Sequence, residues 1–388
     1  MALLTVAIGL VGLFAVASYG YVRYQFDQVA KLPCRACVNV AAGKPYNILI
    51  IGSDSRAGDT GQAASSFGSA STVGGQRSDT IKILRIDPAA GTAKVMSIPR
   101  DTYVTTSGLA PDSGLTGPEK INAAFNNGPE ALIETIQNTF GIPISHYIVI
   151  NFFGVMDAVN ALGGISLDFP YPARDQDCST GVCYNNSGLN IPTAGCQVLN
   201  GSQALSLSRS RYYQYYTDGY WHSDPTSDLG RIERQNLVIS AAMDKAKSTY
   251  DPLKLNSLLS SVVHDFSKDN DLSAGDLFAL AERYHALSGS SVPAYVLPTE
   301  GAVSSYAGDV EVVQAGAASA MISQFLGGPL GTITTPPIDQ YGNALTLSTP
   351  TTTTTAPVAT TTAPASSTGT TPAASTGTSA PNYDPTPC

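Results

Sequence analysis

The sequence predicts an α/β (α+β layered) fold: a central mixed β-sheet flanked by helices, in a single main domain over residues 45–330. Three observations predict it. Short apolar runs at 46–52, 80–86 and 147–150 have the length and patterning of strands. Longer runs at 129–140, at 152–162 and from Asp228 onward have helical length and spacing. The two kinds alternate along the chain, which argues for helices layered on a sheet.

Composition sets the bounds. A chain of 388 residues with 43% hydrophobic residues can bury a sizeable core. Its net charge of -9 lacks the basic excess of a nucleic-acid footprint. Arginine outnumbers lysine by 12 to 9, and eight of the 12 fall within 56–100 and 209–234. Arginine's planar fork suits phosphate oxygens, so the clustering points to an anionic ligand.

In chain order, residues 2–22 form an uncharged, mostly apolar run. As a helix it would be about 31 Å long, enough to span a bilayer core. Residues 1–23 are therefore read as a signal anchor. A signal peptide cleaved near Ala15-Val16-Ala17 and a buried core helix are the competing readings. The nearby cations, Arg23, Lys31 and Arg35, all follow the run, so an outward-facing domain implies a basic segment before Met1. Residues 24–44 read as an extracytoplasmic linker containing Cys34-Arg35-Ala36-Cys37. With Cys178, Cys183, Cys196 and Cys388, these make six cysteines in loops. Structural disulfides in an oxidising compartment are the expectation, with the pairing open.

The run at 46–52 is a strand ending at Ser53-Asp54-Ser55-Arg56, followed by a Gly-, Ser- and Ala-rich loop at 57–76. Strand 80–86, the turn Asp87-Pro88-Ala89-Ala90-Gly91 and strand 93–98 make a hairpin. A hairpin brings the residues flanking its outer ends together, so Asp79 and Arg100 are expected to be neighbours. Asp54 reaches the same edge if the 57–76 loop joins adjacent antiparallel strands. Helices follow at 120–125 and 129–140, the latter stopped by Gly141-Ile142-Pro143, then a strand, a helix at 152–162 and a strand at 165–169. Residues 171–200 form an irregular insertion. A short helix from Gly201 runs into Ser208-Arg209-Ser210-Arg211 and an aromatic stretch at 212–221, which could pack, stack on a sugar or touch a membrane interface. On the next helix, Arg231 and Arg234 are three apart and share a face, and Leu229, Ile232, Ile239 and Met243 supply the buried stripe. Helices are expected at 252–264, 273–287 and 310–326 around a strand at 292–298. Residues 331–388, rich in Thr, Pro, Ala and Ser, are expected to be a disordered tail.

Two carboxylates, Asp54 and Asp79, and several arginines on one rim suit a divalent metal with a phosphate ligand. Mg2+ takes one or two carboxylates, waters and phosphate oxygens; Mn2+ is the alternative ion. Either aspartate alone would ordinarily be a turn cap. Convergence with Arg77, Arg100, Arg209, Arg211, Arg231 and Arg234 argues for more.

Five motifs carry a resemblance. Asn47-Ile48-Leu49-Ile50-Ile51-Gly52-Ser53-Asp54-Ser55-Arg56, Arg77-Ser78-Asp79-Thr80, Ser97-Ile98-Pro99-Arg100-Asp101-Thr102, Lys120-Ile121-Asn122-Ala123-Ala124 and Gly230-Arg231-Ile232-Glu233-Arg234-Gln235 occur in this order. They resemble the signatures of the LytR-CpsA-Psr proteins over about half the chain. The resemblance implies a membrane-anchored phosphotransferase on the outer face of the cytoplasmic membrane. It would move a glycopolymer (arabinogalactan, teichoic acid or capsule type) from a polyprenyl-pyrophosphate carrier onto peptidoglycan through a phosphodiester. An actinobacterial source fits the composition. The metal ligands would map to Asp54 and Asp79, and the pyrophosphate clamp to Arg77, Arg100, Arg209, Arg211, Arg231 and Arg234. Arg56 and Lys120 join the substrate-binding set, with Arg100 and the candidate base Asp101 as catalytic residues. A long apolar groove would hold the lipid, with helices 131–140 and 152–162 as its walls. Two other readings use the same rim: a polyprenyl-pyrophosphate phosphatase, with water as acceptor, and a non-catalytic wall-polymer-binding protein.

Overall fold

The computed structural model describes residues 27–53, 78–106, 118–179, 181–226, 228–248, 266–273, 292–328 and 383–388, with isolated positions at 20, 23, 24, 276, 333 and 345–347. Asp54, Arg56, Arg77, nearly all of the expected anchor, the expected helix 252–264 and most of that at 273–287 lie outside the described residues. Among the described residues no helix is long and apolar enough to cross a membrane.

The chain opens with β1 (Ala30–Leu32), β2 (Tyr46–Ser53), β3 (Ser78–Asp87), β4 (Thr92–Ile98), β5 (Tyr103–Thr105) and β6 (Pro118–Lys120). Then come α1 (Ile121–Ala124), a 3-10 turn (Phe125–Asn127), α2 (Pro129–Phe140), β7 (His146–Asn151), α3 (Phe152–Ala161) and β8 (Ile165–Phe169). The insertion holds β9 (Ala173–Asp175), β10 (Asn190–Ile191) and β11 (Gly195–Leu199). It is followed by α4 (Gly201–Arg209), β12 (Tyr213–Thr217), β13 (Tyr220–Ser223) and α5 (Asp228–Ser248). The last elements are β14 (Phe266–Asp269), β15 (Ala294–Val296), β16 (Thr299–Ser304), β17 (Gly308–Val313), α6 (Ala315–Leu326), β18 (Thr346–Leu347) and β19 (Thr386–Pro387).

The central sheet has seven strands in the order β1-β14-β7-β2-β3-β4-β15. It is mixed: β2 pairs antiparallel with β3 and parallel with β7. One face carries a central apolar patch. Leu49, Ile51, Ile81, Ile83, Met96 and Ile98 project from it into a core with Ile121 of α1, Ile136 of α2 and Ile322 of α6. A second core joins β8, α3, α4 and α5, with Val159, Leu167, Leu207 and Val238 among its members.

Local chemistry explains the joints. At the β3–β4 turn the Asp87 carboxylate accepts the amides of Ala89 (3.0 Å) and Ala90 (2.9 Å). Gly91 then takes φ 66°, which favours glycine. Helix α2 starts with Pro129 in its first turn and ends on Gly141 at φ 63°. Asn200 and Gln203 form a capping box at the start of α4.

Four expectations need correction. Leu229, Ile239 and Met243 of α5 are 41–44% exposed among the described residues. Of the expected stripe only Ile232 is buried; the helix also buries Val238 and Ala241 together with Arg231, Arg234 and Gln235, because its inner face meets polar partners at one end and the second core at the other. The stretch expected to be helix from 310 begins as β17, which pairs with β16; the helix starts at Ala315. The 171–200 insertion, expected to be irregular, carries β9, β10 and β11, and the aromatic stretch after it forms the β12–β13 hairpin. The last six residues of the expected tail belong to the fold: β19 pairs with β8, and Cys388 is bonded to Cys196. All six cysteines are paired, the others as Cys34–Cys37 and Cys178–Cys183.

Candidate active site

The hairpin sets the geometry. Its register places Ile81 opposite Ile98, so the chain just outside this pair brings Asp79 to Arg100, and the two form an ion pair. The backbone of Arg100 is pinned from the other side. Its carbonyl accepts the amide of Asn122 (3.2 Å), and the Thr102 carbonyl accepts that of Ile121 (2.8 Å). The Lys120-Ile121-Asn122 motif therefore docks the start of α1 under Arg100. Gly52, at the end of β2, permits the neighbouring strand to close in: a Cβ there would stand 2.8 Å from that of Thr80.

Asp101 is a hub. Its carboxylate lies 3.5 Å from Arg100 Nε, 3.4 Å from Lys120 Nζ and 3.6 Å from Arg211 Nη2. Neither Asp101 nor Lys120 lines the cavity beside them. That arrangement fits Asp101 for holding cations in place.

The cavity itself is about 200 Å3. Four arginines (Arg100, Arg209, Arg211 and Arg231) and two aspartates (Asp79 and Asp175) line it. Ile150, Val155 and Leu205 supply its apolar lining. Of the two helices expected to wall a lipid groove, α3 contributes Val155, whereas α2 packs into the core on the opposite face of the sheet.

Several residues were not legible as site residues. Asp175 is buried, and its oxygens are saturated. One accepts the amides of Asn186 (3.1 Å) and Ser187 (3.4 Å); the other accepts Ser210 Oγ (2.8 Å) and the Tyr212 amide (3.2 Å). It thereby fixes the segment carrying Arg209 and Arg211. A single aspartate in a Gly/Asn/Ser-rich insertion gives no signal of this. Lys82 lies buried behind the cavity and donates to Ser97 Oγ (2.9 Å) and Asn236 Oδ1 (2.6 Å). Burial, with the Arg231 charge adding to it, pulls its ammonium down to about 7. A lysine amid the apolar residues of strand 80–86 was its one trace in the sequence.

Arg234 is not brought to the cavity. It is 1% exposed on its side chain and donates to Asp224 (2.8 Å), Asp384 (3.0 Å) and the Ser210 carbonyl (3.1 Å). Its guanidinium also sits 4.5 Å over the Tyr213 ring. Asp224 is held below the usual carboxylate range: burial opposes ionisation, but Arg234 and the Thr226 hydrogen bonds outweigh it. Burial pushes Asp384 above that range despite Arg234.

As a metal ligand, Asp79 offers the kind of oxygen that Mg2+ uses, with Arg100 sharing the carboxylate. Among the described residues no group of three or more His, Cys, Asp or Glu could hold a metal ion. The described donor set thus fits an ion completed by further ligands and not an all-protein cage.

Comparison with known proteins follows the same lines. "Probable cell wall biosynthesis protein LcpB" of Corynebacterium glutamicum is 31% identical over 265 residues, 67% of this chain and 56% of that protein. The chain thus spans little more than half the length of that relative. A polyisoprenyl-teichoic acid–peptidoglycan teichoic acid transferase, TagU of Enterococcus faecalis, is 30% identical over 65% of this chain and 70% of its own. The fold is that of the "LytR-Csp2A-Psr enzyme from Actinomyces oris", with a TM-score of 0.58 and 20% identity over 82% of this chain and 99% of that one. Residues 22–322 match the LytR_cpsA_psr family, and the chain belongs to it.

Proposed function

We propose that this protein is a Mg2+-dependent transferase that attaches a glycopolymer, carried on a polyprenyl pyrophosphate, to peptidoglycan through a phosphodiester. The observation that carries this reading is the convergence of Arg100, Arg209, Arg211 and Arg231 around Asp79, in a cavity whose other lining includes Ile150, Val155 and Leu205. Clustered guanidinium groups suit a pyrophosphate, and the apolar wall suits the first part of a lipid. The family and the donor and acceptor in TagU's name point the same way.

In this reading the acceptor hydroxyl attacks the phosphorus that bears the glycan. A new P–O bond forms, the pyrophosphate P–O bond breaks, polyprenyl phosphate leaves, and the hydroxyl proton is released. The protein's contribution is positioning and charge stabilisation. Arg100, Arg209, Arg211 and Arg231 neutralise the pyrophosphate. Asp101 holds Arg100, Lys120 and Arg211 in place. Asp175 fixes the Arg209–Arg211 segment from behind. Asp79, with Asp54, would hold Mg2+, which when bound adds positive charge at the pyrophosphate. An extracytoplasmic location behind the 1–23 anchor is part of the proposal; complete cysteine pairing favours it.

The test uses the full chain in detergent with a polyprenyl-pyrophosphate glycan and peptidoglycan fragments, with and without Mg2+. Glycan attachment that needs Mg2+ and falls in both Asp79→Ala and Arg100→Ala is the expected result. Phosphate release without attachment would make it a phosphatase. Tight binding without product would make it a wall-binding protein.

A further inference from the structure

We infer that the outward face of the β9–β12–β13 sheet is a saccharide platform that holds the acceptor glycan strand of peptidoglycan beside the cavity. This rests on the transferase reading above. Tyr212 lines the cavity, and strand β12 starts at the next residue. Side chains alternate between the faces of a strand, so Tyr212, Gln214 and Tyr216 follow one another on the same side, over roughly 13 Å. The pairing extends this stripe sideways. Gln214 lies opposite Arg174 of β9, and Tyr216 lies opposite Trp221 of β13.

The stripe is braced from within. Arg174 Nε donates to Gln214 Oε1 (2.9 Å), and its guanidinium lies 4.0 Å from the centre of the Trp221 ring. Trp221 and Tyr216 have centroids 5.3 Å apart. The hairpin turns through Asp218 and Gly219, with φ of 53° and 86°. Such a two-residue Asp-Gly loop fixes the strand register. On the opposite face Tyr215 stacks on Tyr383 at 4.4 Å and on His222 at 5.2 Å, and Tyr220 packs on His222 at 4.0 Å while staying 57% exposed. On the outer stripe Tyr212 and Tyr216 are 41% and 40% exposed.

Chemistry selects the occupant. The C–H face of a pyranose stacks on flat rings, while its hydroxyls bond to groups at their edges. Tyr216 and Trp221 give the rings; Gln214 and Arg174 give the polar edge. A lipid surface fits less well, because the residues beside the rings are polar: Gln214, Ser223 and Asp218. In-line transfer brings the acceptor in on the side of phosphorus away from the leaving carrier. The apolar lining comes from β7, α3 and α4, whereas the stripe starts beyond Arg211 on a separate sheet.

Trp221 is the one tryptophan in the chain, so its emission reports on this face alone. The experiment titrates the full chain in detergent with a tetrasaccharide of alternating N-acetylglucosamine and N-acetylmuramic acid. Saturable change in tryptophan emission is expected, weakened about tenfold by Tyr216→Ala and restored by Tyr216→Phe. In turnover, Tyr216→Ala should raise KM for the glycan acceptor about tenfold relative to KM for the carrier. An unchanged emission, or a KM change confined to the carrier, overturns the platform and leaves the transferase reading standing. Emission that shifts with anionic phospholipid vesicles and not with the tetrasaccharide also overturns it, in favour of a membrane contact. Tetrasaccharide binding without any transfer would keep the platform and sink the transferase reading instead.

Discussion

The molecule holds two clusters of charge built from the same residue types, one at the cavity and one around Arg234. At the cavity, four arginines and two aspartates share an opening to solvent, and Asp175 is already spent on the backbone of its own loop. Around Arg234, one cation meets Asp224 and Asp384 with its side chain 1% exposed. Cations in excess at an opening are poised for an anion. A cation enclosed by carboxylates is a structural rivet. Residue type does not separate the two; the balance of charge and the access of water do.

That contrast can be broken at either end. The largest effect is expected from Arg234→Ala, which strands Asp224 and Asp384 and should cost about 3–5 kcal/mol in denaturant unfolding. Any loss of activity should then track the loss of folded protein. Arg100→Ala should do the reverse, with transfer falling about 10²–10³-fold and stability changing little. If Arg100→Ala unfolds the protein, or Arg234→Ala alters only activity, the distinction fails. Cys388→Ser releases Asp384's end of the chain and opens a covalent loop of sequence separation 192. A loss of about 2–4 kcal/mol is expected by thermal or chemical melting, against a much smaller loss for Cys183→Ser, whose loop spans a separation of 5.

A gentler probe uses Lys82. Its pKa is depressed to about 7 in the folded protein against 10.5 unfolded. The unfolded chain therefore binds more protons between these values, and stability should rise with pH through that window by up to ~1.4 kcal/mol per pH unit. Below about pH 7 both states are protonated, and the penalty of the buried charge is constant. Unfolding titrations of Lys82→Met should lose this slope; a slope that persists would place its source elsewhere.

Part of this was written locally in the sequence. Asp79 and Arg100 could be paired on paper because one hairpin joins them, with turn chemistry at Asp87–Gly91 that leaves little choice of register. Arg231 and Arg234 show where such reading stops. Three residues on a helix are about 300° of rotation, so their side chains point about 60° apart. That is enough for one to enter the cavity and the other to meet Asp224. Asp384 stands 150 positions from Arg234, and no local pattern announces a partner so distant. The same holds for Asp175, whose role depends on where Ser210 and Asn186 come to lie. The exposed Leu229, Ile239 and Met243 show that an apolar stripe says which face is greasy, not which face the neighbours occupy.

The bond between Cys196 and Cys388 also changes what a protease can accomplish. With both ends of the 329–382 segment attached to the domain, one cut within it separates no mass from the protein. Non-reducing electrophoresis would show a single intact species, and only reductant would reveal two pieces. Through such a nick the terminal peptide would keep Asp384 on Arg234, which in turn holds the Ser210 carbonyl between the two cavity arginines Arg209 and Arg211.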